Sequence, residues 1–495
     1  MKKNIIICIV CLTASLGAVA QNSIDALRFS RLNYLGTAKF NAMGGSFGAL
    51  GGEISGLNIN PAGIGVYRSS EFTFSSGLNF TNLETNYRNE LRSTDDFNFN
   101  IPNIGYVGSY KGDPNGWKNY SFGISYNRAS SFNTESELFG TAENSTITND
   151  YTNILNGNNA STTQVNAYAY PFGASEAYQI YILNYDSLNS QFTSAPEIYD
   201  ATAEQRRQVE TRGNQSETSF TFGGNYQDRL YLGGGISYQR IRFERDYTFT
   251  ENYSYDPPAT LNESYLATTY EERTSLITLG SGINFKLGAI YRINDALRVG
   301  AAIHSPTFFG MNEEYTFDSN SEFANGDTYV ADGTTSSYRY QLRTPVRYQA
   351  SFAYLYLRKV AVNLDYEYVD YSTAKLDDAR NYEFDYSASN QEINTNLKGT
   401  HNFRLGAEYN LQPFVIRGGF RHEDNPFASN LEFNPDETRT TYSIGGGYKS
   451  KNYNVDVALA RSSMNTKDPV YRSSTAAASI DQNKYNLIFT VGWRW

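Results

Sequence analysis

The chain offers little for side-chain chemistry. Its 495 residues include two cysteines, three histidines and three tryptophans. Cys8 and Cys11 both lie near the start, so the rest of the chain gains nothing from disulfides or thiolates. No stretch after residue 20 is long and apolar enough for a membrane helix, which needs about 20 residues. No basic cluster interrupts a chain of formal charge -10 and pI ≈ 5.1, which excludes nucleic acid as a natural partner. Without a recognisable serine motif or metal-ligand spacing, neither an enzyme nor a metal or cofactor site is expected. Glu313-Glu314 and Asp377-Asp378 read as solvated loop carboxylates.

The first twenty residues read as a secretory signal peptide. Lys2 and Lys3 precede an apolar run over 5–12, and Ala18, Val19 and Ala20 before Gln21 suit a small-residue cleavage site. Its removal would take both cysteines with it and move the charge from -10 to -12, two lysines being lost.

What the chain has in abundance is aromatic surface: 41 Tyr and 30 Phe, placed at alternate positions. The mean hydropathy of -0.52 conceals this, because the lipid and lumen faces of a barrel strand cancel in any average. The last eleven residues are the clearest case. Tyr485, Leu487, Phe489, Val491, Trp493 and Trp495 fall on one face of a strand, with Asn486, Ile488, Thr490, Gly492 and Arg494 on the other. An aromatic final residue on such a strand suits an outer-membrane barrel that closes on itself and leaves no edge to the hydrocarbon.

From residue 70 onward one pattern recurs: alternating segment, tight turn, alternating segment, long polar loop. The turns are 111–116, 226–229, 292–295, 357–359, 410–413 and 449–452, most carrying Gly, Asn, Asp or Pro. The loops are roughly 83–98, 132–216, 251–281, 306–337, 375–397, 424–437 and 464–482, with a possible helix over 196–212. Six turns and one unpaired strand at each end give about fourteen antiparallel strands, with turns and both barrel ends in the periplasm. The fold class is therefore all-β, a transmembrane barrel over 70–495.

Registers follow from the outward residues. Pairing Tyr409 with Phe414 sets Ala407 against Ile416, Leu405 against Gly418 and Phe403 against Phe420. Pairing Tyr448 with Tyr453 sets Gly446 against Val455, Ile444 against Val457 and Tyr442 against Leu459. Arg404, Glu408, Arg417, Arg421, Asp365 and Glu367 fall on the opposite face. A charge on the lipid side near the midplane costs about 2–4 kcal/mol for Arg or Lys, so these six point inward. They serve either as internal ion pairs or as a guide for substrate.

Residues 21–69 break the strand pattern. The stretch from Ser23 to Gly36 reads as a short capped helix. Beyond it Gly44, Gly45, Gly48, Gly51, Gly52, Gly56, Gly63 and Gly65 permit tight bends, and Met43, Phe47, Leu50, Ile54, Leu57 and Ile59 need burial. A compact segment ahead of the first strand has one natural place, inside the barrel. Its run of Gly44 to Gly52 followed by Asn60, Pro61, Ala62 and Gly63 resembles the hatch of the FadL-type transporters of long-chain fatty acids and aromatic hydrocarbons. The version around Leu57 to Ile64 resembles that of Bacteroidetes-type members.

The resemblance implies a monomeric barrel in the outer membrane of a Gram-negative, Bacteroidetes-like cell, stoppered by its own hatch. Hydrophobic molecules would pass without energy input and leave sideways through a gap near a kinked strand three, about 117–131, with Gly123 as the candidate kink. Asn60, Pro61 and Ala62 would fix the hatch near that gap. Outer-membrane lipid and a hydrophobic small molecule are the expected partners. Two other readings stand beside it. FadL-like barrels also serve as accessory or scaffold proteins of type IX secretion, and the loop 132–216 is large enough to bind a secretion partner. A hemin receptor is the second, resting on His304, His401 and His422 at extracellular strand ends. The expected register turns His401 and His422 outward, which disfavours it.

Overall fold

The computed structural model describes residues 23–495 apart from 257–261, 358, 380–383, 430, 432, 434 and 475. The expected signal peptide lies outside the described residues.

Alternation of outward apolar and inward polar residues produces fourteen antiparallel strands that close into a barrel. They are β1 (Glu71–Tyr87), β2 (Glu90–Lys111), β3 (Trp117–Ser131, continued by Thr134–Glu143), β4 (Thr202–Tyr226), β5 (Leu230–Ser254) and β6 (Ala267–Arg292). Then come β7 (Leu297–His304, continued by Phe308–Phe323), β8 (Thr328–Arg343, continued by Arg347–Tyr356), β9 (Val360–Asp370, continued by Lys375–Asp378) and β10 (Gly399–Leu411). β11 (Phe414–Glu423), β12 (Arg439–Lys449), β13 (Tyr453–Pro469) and β14 (Ala477–Arg494) complete the wall. Each strand pairs with its neighbours in sequence, and β14 returns to β1 over Glu71–Asn86 against Ser479–Arg494. All six predicted tight turns join strand pairs.

The outward face is greasy: Phe74, Phe80, Leu287, Ile416, Ile444, Leu459 and Phe489 are all exposed. The inward face is polar and buried, Asp365, Glu367, Arg404 and Arg417 among it. Glu408 and Arg421 lie on the same inward face, the Glu408 carboxylate accepting from Arg417 Nε at 2.7 Å.

Several expectations are corrected. The two hairpin registers have the right faces and the wrong offset. Tyr409 pairs with Ile416 and Leu411 with Phe414, while Tyr448 pairs with Val455 and Ile444 with Leu459. Each is a two-residue shift, which preserves every inward and outward assignment and so leaves no mark on the alternation. The expected register would set His401 opposite His422; instead His401 lies opposite Tyr368 and His422 opposite Phe403.

Of the polar stretches expected as loops, 83–98, 251–281, 306–337 and 464–482 are mostly strand, whereas 132–216 is strand chiefly at its two ends and 375–397 and 424–437 are, among the described residues, mainly not strand. β1 and β2 run on to a two-residue turn in which Arg88 and Asn89 both have positive φ, 50° and 68°, the geometry of a tight hairpin turn. β4 begins at Thr202, so 196–212 is not a helix; only Ala195–Ile198 is helical. These extensions stand beyond the membrane, where outward residues are polar too and the greasy alternation vanishes. Glu313, expected in a solvated loop, is buried on the inward face of β7 and accepts from Tyr340 Oη at 3.1 Å.

The wall makes a lipid-face charge costly. Val457→Arg should lower unfolding stability in lipid vesicles by about 2–4 kcal/mol. Thr250→Arg, on an extension, should stay within about 0.5 kcal/mol. Equal urea midpoints for the two would refute the assignment of faces.

Candidate functional site

A bore of fourteen strands is too wide for its own side chains to fill, and the N-terminal segment occupies it. Helix α1 (Ser23–Ser30) is followed by a descent to α2 (Ala38–Ala42) and then two 3-10 turns, Ser55–Asn58 and Pro61–Val66. Met43, Phe47, Leu50, Ile54 and Leu57 are each at most 8 % exposed, so every apolar residue singled out in this stretch is buried. Phe40 stacks on Phe47 at 6.1 Å, and Ile54 and Leu57 pack with Ile64, Tyr67 and Val107.

Asn60 organises the lower end. Its extended backbone precedes Pro61, as a residue before proline must be. Its carboxamide oxygen accepts from Ala62 N at 3.0 Å, capping the 3-10 turn. Its nitrogen donates to Gly48 O at 2.7 Å and to Ala289 O of β6 at 3.2 Å. One side chain thus ties two halves of the segment to the wall.

The wall has made room for this contact. Gly223, Gly233 and Gly288 lie side by side across β4, β5 and β6. A Cβ on Gly233 would sit 2.3 Å from Pro61 O, and one on Gly288 2.0 Å from Asn60 Oδ1. On the far side of the bore Gly406, Gly419 and Gly445 serve Ala42, Met43 and Gly44 in the same way. Gly44, Gly45, Gly51 and Gly52 all have positive φ and bend the segment between these walls, while Gly48 fits against Ser351 and Asp365. Gly63 packs on Gly51.

Inward charges hold the segment as well as one another. Asp365 accepts Phe47 N at 2.9 Å and Gly48 N at 3.1 Å. Glu217 accepts Tyr34 Oη at 2.7 Å and pairs with Lys286. Glu367 receives Arg404 at 3.1 Å and Arg347 at 3.3 Å, and Arg347 also donates to Ser30 O. Arg417 bridges Glu408 and Asp456 at 2.7 and 2.6 Å, and Arg421 reaches Asn33. Lys286 and Glu217 were legible only as inward positions, Lys286 lying between outward Phe285 and Leu287.

The histidines do not converge. His304 Nε2 lies 3.0 Å from Ile59 O, buried beneath the segment rather than at a rim. His401 meets Tyr366 Oη at 2.8 Å on the outer face, and His422 meets Asp424 at 3.2 Å. At Gly123 the ladder is unbroken on both sides, Val107 to Gly123 to Thr221, so no register break marks the expected kink. Its registers shift at Trp117/Asn119 and at Arg128/Ser130 instead.

A second mass closes the loop end. Between the β3 continuation and β4 the chain folds into helices, chiefly α3 (Ile147–Gly157), and a small hairpin. It packs on Tyr87, Phe249, Tyr253, Tyr270, Ala331 and Tyr471, which come from most of the circumference. Ser321 Oγ donates to Ile180 O at 2.7 Å, and Ser473 N donates to Asp150 at 2.6 Å. The contacts reach opposite walls, so the mass crosses the mouth.

Residues 226–491, more than half of the chain, match the family model described as outer membrane protein transport protein, OMPP1/FadL/TodX. This chain belongs to the FadL/TodX family. The toluene transporter TodX of P. putida superposes with a TM-score of 0.54 at 11 % identity, over 94 % of this chain and 99 % of its own. A FadL homologue of Pseudomonas aeruginosa gives 0.55 at 11 %, over the same shares of 94 % and 99 %. Identities this low speak for the fold alone. No curated protein matches the chain in sequence. A FadL-family barrel resides in the Gram-negative outer membrane.

Under this cap lie two buried carboxyls. Glu251 accepts Ile147 N at 3.0 Å and Gln205 Nε2 at 2.7 Å, and Glu272 accepts Tyr151 Oη and, at 3.0 Å, Tyr270 Oη. Glu251 is twenty-one residues beyond Leu230, roughly 70 Å along the strand and outside an apolar band of about 25 Å. Burial raises both carboxyls to about 7. The fold therefore favours their protonated forms, and this stability is full below the ordinary 4.5 and is lost as pH rises through about 7.

Two outcomes follow. Gly233→Val should expel the lower segment and speed tryptic cleavage at Lys39, whereas Gly310→Ala, with open space at its Cβ, should not; equal cleavage would disprove the close approach. Proteolysis of the cap over 144–201 should be several-fold faster at pH 8 than at pH 5, and Glu251→Gln with Glu272→Gln should flatten that difference. An unchanged pH profile in the double variant would rule the carboxyls out.

Proposed function

We propose that this protein is a passive transporter of hydrophobic molecules, long-chain fatty acids or aromatic hydrocarbons, with residues 21–69 as its hatch and a sideways exit between β2 and β3. The family supports the cargo class, and an interrupted ladder supports the exit. β2 pairs with β3 only over Asn103–Lys111 against Asn119–Asn127. Above that point, among the described residues, β2 pairs with β1 alone, up to its turn at Glu90.

The unpaired edge carries outward Phe97, Phe99 and Ile101, at 58, 61 and 37 % exposure, so it lies within the greasy band. Hydrocarbon does not tolerate an open edge unless protein covers it. The register of β1 on β2 shifts there, between Ser75 and Gly77, next to Pro102, which has no N–H to offer. This seam lies at the upper end of β3, above Gly123.

The hatch covers the seam from within. Asn33 N donates to Ala129 O at 2.6 Å, Leu35 N to Arg128 O at 3.1 Å, and Ser130 Oγ to Arg31 O at 3.2 Å. Residues 31–35 thereby stand in for the missing strand neighbour. Above them Ala26, Leu27 and Phe29 of α1 cover an apolar lining of Phe243, Leu276, Phe309, Met311, Tyr340 and Leu342. Beside Phe29 and Tyr34 the remaining void is about 10 Å³, room for one water. Cargo thus needs α1 to yield its contacts, and each CH₂ buried in that lining returns ~0.8 kcal/mol.

Protein in liposomes should accelerate uptake of labelled oleate or toluene over protein-free vesicles. Asn33→Cys with Ala129→Cys, joining two backbones that meet through the 2.6 Å Asn33 N to Ala129 O bond, should abolish the acceleration when oxidised and regain it on reduction. Uptake unaffected by the cross-link would reject the seam, and no acceleration by the unmodified protein would reject transport.

A further inference from the structure

The outer surface of the wall behind the hatch motif is hollow. Phe222, Gly224, Leu232, Gly234, Leu287 and Tyr120 face the membrane on β3 to β6, and Gly224 and Gly234 contribute no side chain. A groove of about 600 Å³ results, walled by Trp117, Tyr120, Phe222, Leu232 and Leu287 and floored by glycine backbone. It begins three residues from the β4–β5 turn, at the periplasmic end of the greasy band. The ladder beneath it is continuous, Gly223 to Gly233 to Gly288, so it is a recess in an intact wall and not an opening.

The rim just below is cationic. Lys118 and Arg68 share one carboxylate, Asp228, at 2.7 and 2.8 Å. Arg292 pairs with Asp295 and lies beside the same turn through Asp228 O at 3.5 Å. Arg229, exposed at the tip of the turn, has no ion pair among the described residues. Lys118, Arg229 and Arg292 thus gather at this turn around Asp228 and Asp295, and Arg68 reaches Asp228 from the inner side, where it also bonds Asn119 Oδ1 and Gly65 O, on a chain whose formal charge is -10. An apolar trough in the lipid-facing wall that ends at a positive rim at headgroup depth matches a molecule with an acyl chain above a phosphate.

We infer that this groove is a binding site for one glycerophospholipid of the periplasmic leaflet, with an acyl chain along Gly234 and the phosphate at Lys118 and Arg229. Trp117 and Tyr120 flank the headgroup end of that lipid at the interface, the usual place of such rings. The lipid fills space that would leave the outward faces of Phe222 and Leu287, at 65 and 64 % exposure, without packing partners. The site is separate from the bore and from the β2–β3 seam, so it stands whether or not the barrel transports.

The test is retention of dioleoylphosphatidylethanolamine by the purified barrel, read by native mass spectrometry after detergent exchange. The unmodified protein should keep one lipid per chain. Gly234→Phe fills the trough; its Cβ meets the mobile end of Leu287 at 3.1 Å and Lys286 O at an ordinary contact distance of 3.5 Å. This variant should migrate as a folded barrel and retain at least tenfold less lipid. Lys118→Ala with Arg229→Ala should weaken retention several-fold. In a Trp493→Phe, Trp495→Phe background, acyl-brominated phosphatidylethanolamine should quench Trp117, and Gly234→Phe should relieve that quenching. Retention and quenching unchanged by Gly234→Phe would overturn the site, as would retention of oleate in preference to the phospholipid.

Discussion

A polypeptide in hydrocarbon must satisfy every backbone N–H and C=O within itself. The return of β14 to β1, from Glu71–Arg494 to Asn86–Ser479, is the contact that meets this demand here. Once the ring is closed its circumference is fixed, and so is a bore that inward side chains alone cannot fill. The remaining architecture answers that problem. The N-terminal segment occupies the lower bore, α1 the apolar zone above it, and the cap the mouth.

Closure also gives meaning to the places where pairing stops. The β2–β3 ladder ends at Asn103 and Asn127, and beyond it residues 33 and 35 hydrogen-bond Ala129 and Arg128 of β3. The glycine panel on β4 to β6 is the opposite case: its ladder is complete, its inner face admits Pro61 and its outer face is left concave.

The parts of the fold legible from the residues are those fixed by a period of two. Which face each strand turns to lipid, the six turns, the strand number and the inward direction of Arg404, Glu408, Arg417, Arg421, Asp365 and Glu367 all follow from it. Register did not follow, because sliding Tyr409 from Phe414 to Ile416 leaves the alternation untouched. Strand length beyond the membrane was hidden for a related reason. Residues such as 202–216 are polar on the outer face, and their inner face meets protein rather than water. In the N-terminal segment, Asn60 was marked by its place before Pro61, but its partners Gly48 and Ala289 are remote in sequence.

The sequence by itself determined a closed, lipid-facing barrel with a compact segment ahead of it, since alternation and turn chemistry are local and survive without coordinates. Tertiary structure alone decided which charges hold which backbone, where the ladder lapses and where the wall is hollow. Those features depend on distances between residues hundreds of positions apart, such as Ala38 and Thr490. No periodicity records a distance between strands. It emerges only when the ring closes and the bore is filled.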